Sequence, residues 1–290
     1  MRGATKSVSR RGRSANPEFD PEGTRFWLRL VRETIGRYFR FEVLGCENLP
    51  RGRCMVVGCH GGVMPYDAAL ALVAIERCTG RLARAVGDQF WGKLGPLYDF
   101  LRRRGAVVGD RDVAVELLRE GNILLVMPGG ALDMTRPYWK HPYRVLPHKG
   151  FAPGHGGYIK VALRAGAPIV PMAVVGAEEA HVLLANLSPL ARLLRVPFFP
   201  VVAFPFPLPV KIYVRFGPPI RLRGGARAAR DQRTVDRYNE EVRRALQDLI
   251  DDTLERRRGI VFSRYVGDER GPAGQGAGHG GGPGARKGGR

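Results

Sequence analysis

The chain has 290 residues, 44% of them hydrophobic, with a mean hydropathy of −0.19 and a formal net charge of +20. This length holds one large α/β domain or two small ones, and this composition excludes a wholly disordered chain. The charge draws anionic partners such as nucleic acid, anionic lipid or a phosphorylated substrate, and composition alone does not choose among them.

In chain order, residues 1–21 are polar, basic and expected to be disordered, with no apolar h-region of a signal peptide. Residues 23–40 place Phe26, Trp27, Leu30, Val31, Ile35, Tyr38 and Phe39 at spacings of three and four among arginines, which predicts an amphipathic helix. Two readings of it stand: a first helix packed on the core, or a helix lying in a membrane interface. Residues 41–50 read as a short strand and turn, and Cys54 to Val57 as a short buried strand. Pro65 opens a helix to about Glu76. Strands are expected over 81–87, 106–108, 123–127, 168–175 and 210–216, and helices over 90–103, 111–120, 157–165 and 229–257. The tail over 267–290 is Gly-rich and expected to be disordered.

Short apolar strands alternating with helices predict an α/β fold: a single mixed, mostly parallel sheet flanked by helices. Ligands of such sheets gather at the C-terminal strand ends. The glycine-containing turns at 58–62, 109–111 and 128–130 each follow a strand, so the pattern places three candidate site loops at one edge. No run of 18 apolar residues exists, so a spanning helix is not expected. The cysteines Cys46, Cys54, Cys59 and Cys78 match neither a zinc pattern nor a disulfide framework, and the expectation is four reduced thiols in a cytosolic setting.

His60 follows an apolar strand at a glycine turn, and Asp67 falls in the first turn of the next helix, where the helix dipole favours an anion. If the turn folds back, Asp67 holds one ring nitrogen of His60 and leaves the other free to accept a proton, the base half of an acyl-transfer apparatus. The alternative is a turn histidine followed by a capping aspartate. Arg111 follows the strand at 106–108 and offers a fork of donors suited to phosphate, or is a solvated residue beside an Asp110 cap. The amides of the Pro128-Gly129-Gly130 turn suit an oxyanion, or form a plain turn. His141, His148 and His155 recur every seven residues, but the intervening prolines and glycines break any helix, so no metal site is expected. Residues 196–210 are very apolar and proline-rich, consistent with a lipid-dipping or acyl-lining loop or with a buried crossover.

Taken in this order, the blocks Gly45–Pro50, His60–Asp67, Gly105–Arg111, Pro128-Gly129-Gly130, Pro168–Pro171 and Phe216–Ile220 resemble the glycerolipid acyltransferase superfamily over roughly residues 42–223. Two departures stand out. Six residues separate His60 from Asp67 where the commonest family pattern has four, and Gly129 replaces the Glu of the Pro-Glu-Gly block found in phosphate-acceptor enzymes. Pro-Gly-Gly-Ala followed by Asp133 looks more like the neutral-glyceride branch.

The resemblance implies one acyltransferase domain over 22–266 that moves a fatty acyl group from acyl-CoA or acyl-carrier protein to a lipid alcohol. His60 and Asp67 would be catalytic, and Gly62, Arg111, Gly129 and Gly130 would contact substrate. It implies no metal, no cofactor and no covalent acyl-enzyme. It implies a peripheral protein on the cytoplasmic face of a membrane, drawn to anionic lipid, with no nucleic-acid partner. An inactive lipid-binding relative and a basic nucleic-acid-binding protein are the competing readings. Against the latter, much of the excess charge lies in residues 1–16 and 256–290, and no nucleic-acid module is visible.

Overall fold

A computed structural model of the chain describes residues 18–87, 95–108, 110–140, 142–193 and 199–266. The tail over 267–290 and all but the end of the tail over 1–21 lie outside the described residues, as do Gly109, His141 and the start of the expected helix over 90–103.

Helix α1 spans Pro21–Val31 and continues through a π-helical turn, Arg32–Gly36. It begins before the expected residue 23 because Asp20 caps it, accepting from the Gly23 amide at 2.9 Å, with Pro21 at a first position that needs no N–H. Then follow β1 (Glu42–Leu44), β2 (Cys54–Gly58), α2 (Tyr66–Thr79), β3 (Ala83–Gly87), α3 (Pro96–Arg103), β4 (Val107–Val108), α4 (Arg111–Arg119), β5 (Ile123–Val126) and α5 (Ala131–Met134). The second half contains α6 (Gly157–Ala165), β6 (Ile169–Val175), α7 (Ala177–Ala180), β7 (Leu183–Asn186), α8 (Ser188–Leu193), β8 (Pro200–Val202), β9 (Tyr213–Phe216), α9 (Gly225–Ala228), α10 (Gln232–Arg256), β10 (Arg257–Arg258) and β11 (Arg264–Tyr265).

Seven strands form one sheet in the order β1-β9-β6-β2-β5-β3-β4. Every neighbouring pair is parallel except β6 with β9. The central strand β2 is buried on both faces. Its Met55 and Val57 join Leu117, Leu118, Ile159, Leu163 and Leu246 under α4, α6 and α10. Its Cys54 and Val56 join Leu28, Val31, Leu70, Val73 and Ile75 under α1 and α2. Each such side chain contributes about 1.5–3 kcal/mol on burial, so these two apolar layers fix the strand ends in space. Helix α1 therefore packs on the core through Leu28 and Val31, while Phe26 and Leu30 face outward.

Four expectations are corrected. Cys46 and Cys78 are joined by a disulfide, with Cα atoms 5.2 Å apart, so only Cys54 and Cys59 are free thiols. The partners are 32 residues apart, and only the packing of α2 against the turn after β1 brings them together. The strand expected over 210–216 begins at Tyr213, because the ladder with β6 starts there. The final helix begins at Gln232, because Asp231 caps it by accepting from the Arg233 and Thr234 amides. The apolar stretch 196–210 is not one loop: β8 pairs with β7 and Ala203 donates to Val182, after which an irregular segment follows, with 194–198 outside the described residues.

Candidate active site

Because β2, β5, β3 and β4 are parallel, the segments after Gly58, Val126 and Val108 leave the sheet at one edge. This edge carries His60, the Pro128-Gly129-Gly130 turn and Arg111.

His60 and Asp67 meet there. The Nδ1 of His60 lies 3.1 Å from one oxygen of Asp67 and 3.3 Å from the other. Asp67 is fully buried, yet its carboxylate is saturated: Oδ2 accepts the Gly61 amide at 2.9 Å and Oδ1 the Ala68 amide at 2.6 Å. The two backbone donors hold the carboxylate in place with its oxygens facing the ring, and an acceptor at that position calls for the proton on Nδ1. Among the described residues nothing hydrogen-bonds the Nε2 of His60, which therefore carries the free lone pair. Burial pushes the His60 imidazolium down, but the charge and hydrogen bond of Asp67 and the charge of Asp133 outweigh it, and its pKa rises above the usual 6.5.

The glycines make this turn possible. A Cβ on Gly62 would sit 2.8 Å from the Ala177 carbonyl oxygen, and one on Gly61 3.2 Å from that of Val174. The turn is thus pressed against the junction of β6 and α7. The missing side chain of Gly62 faces this backbone packing.

The Pro-Gly-Gly turn wraps a second carboxylate. A Cβ on Gly129 would fall 2.0 Å from Oδ2 of Asp133, so only glycine fits over that group. Gly130 has φ +53° and precedes α5. Asp133 is 7% exposed and pairs with Nε2 of His148 at 3.0 Å. Its Oδ2 and the Nδ1 of His148 are buried without a hydrogen-bond partner. His148 arrives on a loop that crosses the turn, where the Gly150 amide donates to the Pro128 carbonyl. The sequence marks out Asp133 and His148 separately and gives no sign that they pair. They lie 15 residues apart on irregular chain, and no spacing rule reaches across such a loop. Among the described residues the His155 ring meets the Pro153 carbonyl at 3.2 Å, away from the His148–Asp133 pair.

Arg111 is the first residue of α4. Its guanidinium lies 3.1–3.3 Å from where a Cβ of Gly157 would stand, at the start of α6. Among the described residues no carboxylate pairs with Arg111. The next residue, Tyr158, lies near Cys59: burial and Cys59 push its hydroxyl pKa well up. The Cys59 thiol itself is pushed far up by burial and by the carboxylates of Asp133, Glu178 and Asp67, with Arg136 opposing them. A thiol held protonated beside three carboxylates is a poor nucleophile.

Behind these groups stands a polar frame with no local signal in the sequence. Arg136 pairs with Glu178 at 3.0 Å, and Glu178 also accepts the Tyr143 amide. Burial pushes Glu178 up to about 7, against the opposing pull of Arg136. Glu179 is held by the Tyr143 hydroxyl and by Arg257. These contacts anchor the 136–145 loop to α7. Among the described residues no three His, Cys, Asp or Glu side chains converge as a metal site would require.

An acyltransferase family model matches residues 40–175, a span that holds the dyad, Arg111, the Pro-Gly-Gly turn and β6. An uncharacterized protein of Mycobacterium tuberculosis is 32% identical over 257 residues, which cover 84% of this chain and 70% of that one. The human protein described as a DGAT1/2-independent enzyme synthesizing storage lipids is 31% identical over 222 residues, 73% of this chain and 61% of its own length. The crystal structure of the 1-acyl-sn-glycerophosphate (LPA) acyltransferase PlsC from Thermotoga maritima superposes with a TM-score of 0.50 at 19% identity. That match covers 79% of this chain and 83% of the other, and it shows a shared fold.

Proposed function

Given that the chain belongs to the glycerolipid acyltransferase superfamily, we propose that it moves a fatty acyl group from a thioester donor to a hydroxyl of a neutral glycerolipid, with His60 as general base. The observation that carries the mechanism is the saturated Asp67 carboxylate holding Nδ1 of His60, with Nε2 left free.

Nε2 takes the proton of the acceptor hydroxyl, and the alkoxide oxygen attacks the thioester carbonyl. The tetrahedral oxyanion is met by the amides of Gly62 and Gly129, since the Gly130 amide is spent on the Met127 carbonyl within its own turn. Collapse breaks the carbon–sulfur bond, and the His60 imidazolium returns its proton to the departing thiolate. Asp67 stays ionised throughout and stabilises the imidazolium. Cys59 takes no part, so transfer is direct. The step calls on no cofactor, and the donor is acyl-CoA or acyl-carrier protein. The protein works as a peripheral enzyme at the cytoplasmic face of a membrane.

For the acceptor, Pro128-Gly129-Gly130 with Asp133 in place of a Pro-Glu-Gly block, together with the storage-lipid relative, supports a mono- or diacylglycerol. A second reading, a lysophospholipid acceptor, has one observation in its favour: the unpaired guanidinium of Arg111 beside the start of α6. Purified protein given a labelled thioester and each acceptor in mixed micelles separates the two. Product from diacylglycerol that survives Arg111→Ala supports the first. Product only from the lysophospholipid, lost in that variant, supports the second. Thioester consumption unchanged in His60→Ala would remove the mechanism altogether.

A further inference from the structure

The strands that set the active edge also gather an apolar surface there. β6 ends at Val175 on the same edge as β2, and β9, antiparallel to β6, begins at Tyr213 opposite Val175. β1 pairs parallel with β9, with Glu42 opposite Tyr213. The segments that enter β1 and β9, residues 38–41 and 207–212, therefore lie on the edge that carries His60. They are tied together there. The Tyr38 hydroxyl donates to the Pro207 carbonyl, and Arg40 donates to the carbonyls of Pro209 and Val261. The Lys211 amide donates to Ile260, which brings in the tip of the β10–β11 hairpin.

These segments expose what soluble surfaces normally cover. Tyr38 is 45% exposed, Phe204 52%, Phe206 78%, Ile260 46%, Val261 37% and Phe262 90%. The Arg40 guanidinium sits 5.9 Å from the centre of the Phe262 ring. Arg258 and Arg264 flank the hairpin tip, both exposed, and among the described residues no carboxylate pairs with either or with Arg40. The sequence carries no acidic residue from 180 to 230, nor from 256 to 267. Apolar side chains flanked by arginines that have no carboxylate partner among the described residues, over an acid-free stretch, are complementary to a leaflet that is apolar inside and anionic at its surface.

We infer that Tyr38, the Phe204–Phe206 segment and the Ile260–Phe262 hairpin tip form one surface that seats in an anionic lipid leaflet and turns the His60 edge toward it. The inference rests on the lipid-acylating reading and adds the orientation in which the enzyme meets its acceptor. A bridge of rings joins the surface to the dyad. Phe39 packs on Tyr66 with ring centres 4.9 Å apart, and Tyr66 lies in the turn of α2 that carries Asp67.

The test is co-sedimentation of the full chain with vesicles of phosphatidylcholine, with and without phosphatidylglycerol. Wild type is expected to partition onto the anionic vesicles, and the double variant F206D/F262D to lose at least about tenfold in partitioning. Arg51→Glu with Arg53→Glu makes an even larger change in charge at the opposite strand edge, just before β2, and is expected to leave partitioning within about twofold. Because Phe206 and Phe262 are exposed, F206D/F262D should keep wild-type circular dichroism and wild-type thermal unfolding. Partitioning of F206D/F262D equal to wild type, or an equal loss in the Arg51/Arg53 variant, overturns the assignment. So does Phe262-dependent self-association in sedimentation velocity with vesicle binding unaltered. If wild type transfers acyl groups in micelles but binds no vesicle, the surface is wrong and the enzymatic reading stands. If it binds vesicles through this surface but transfers nothing in micelles, the enzymatic reading fails and the surface stands.

Discussion

Two histidine–carboxylate pairs stand on the active edge, and they are built differently. His60–Asp67 comes from one turn, and its carboxylate accepts the ring and two backbone amides. His148–Asp133 is assembled from two loops, and it leaves Oδ2 of Asp133 and Nδ1 of His148 buried without partners. A buried polar atom left unpaired costs about 1–3 kcal/mol, a cost that folds tolerate mainly at sites with work to do. The comparison teaches that the first pair is complete before substrate arrives, whereas the second shapes the Pro-Gly-Gly turn and keeps unused hydrogen-bonding capacity. Both charges bear on His60: Asp67 by contact and Asp133 from further off.

The largest effect expected is from His60→Ala. If Nε2 is the base, acyl transfer falls by about 10³–10⁴-fold, read as kcat/KM from thioester consumption. A comparable loss from His148→Ala, with His60→Ala mild, would reverse the roles of the two pairs.

Next is Asp67→Asn. It removes the charge that orients and stabilises the imidazolium, at an expected cost of about 10²-fold in kcat. It also weakens two charge-assisted bonds to backbone, so thermal unfolding should show a loss of about 1.5–3 kcal/mol. The pH profile gives an independent readout. His60 acts as a base only when neutral, and its pKa is raised, so activity should climb with pH through a limb above 6.5. Removing the Asp67 charge lowers that pKa, and the limb must move to lower pH. A limb that stays put would mean that another group titrates.

Asp133→Asn should sharpen the comparison. Without the Asp133 charge the same limb shifts in the same direction, but less than in Asp67→Asn, with kcat reduced by about tenfold through a disturbed Pro-Gly-Gly turn. A purely structural role would lower stability without moving the limb.

Smallest of all is Cys59→Ser. With the thiol held protonated by burial and its carboxylate neighbours, transfer should change by less than about threefold, and no acyl-thioester of the protein should be seen by mass spectrometry. In the same samples, thiol titration of unreduced, unfolded protein should find two reactive groups, Cys54 and Cys59. Reduction should add Cys46 and Cys78 and lower stability by about 3–4 kcal/mol, the chain-entropy value for a loop of this size. Four thiols before reduction would contradict the bond.

What the chain settled by itself is whatever depends on near neighbours. Short continuous apolar runs marked the sheet strands, which are buried on both faces at the centre, and a 3.6 repeat marked the long helices. The spacing of His60 and Asp67 foreshadowed their contact, because seven residues with two glycines and a helix start fold back on themselves. What only the tertiary structure decided is whatever joins segments far apart. Cys46 finds Cys78, His148 finds Asp133, Arg111 lies over Gly157, and the tip at Phe262 comes to rest beside Arg40. None of these leaves a local repeat. Each is fixed by the packing of strands and helices that bring distant loops to a common edge, and that packing is a property of the whole core.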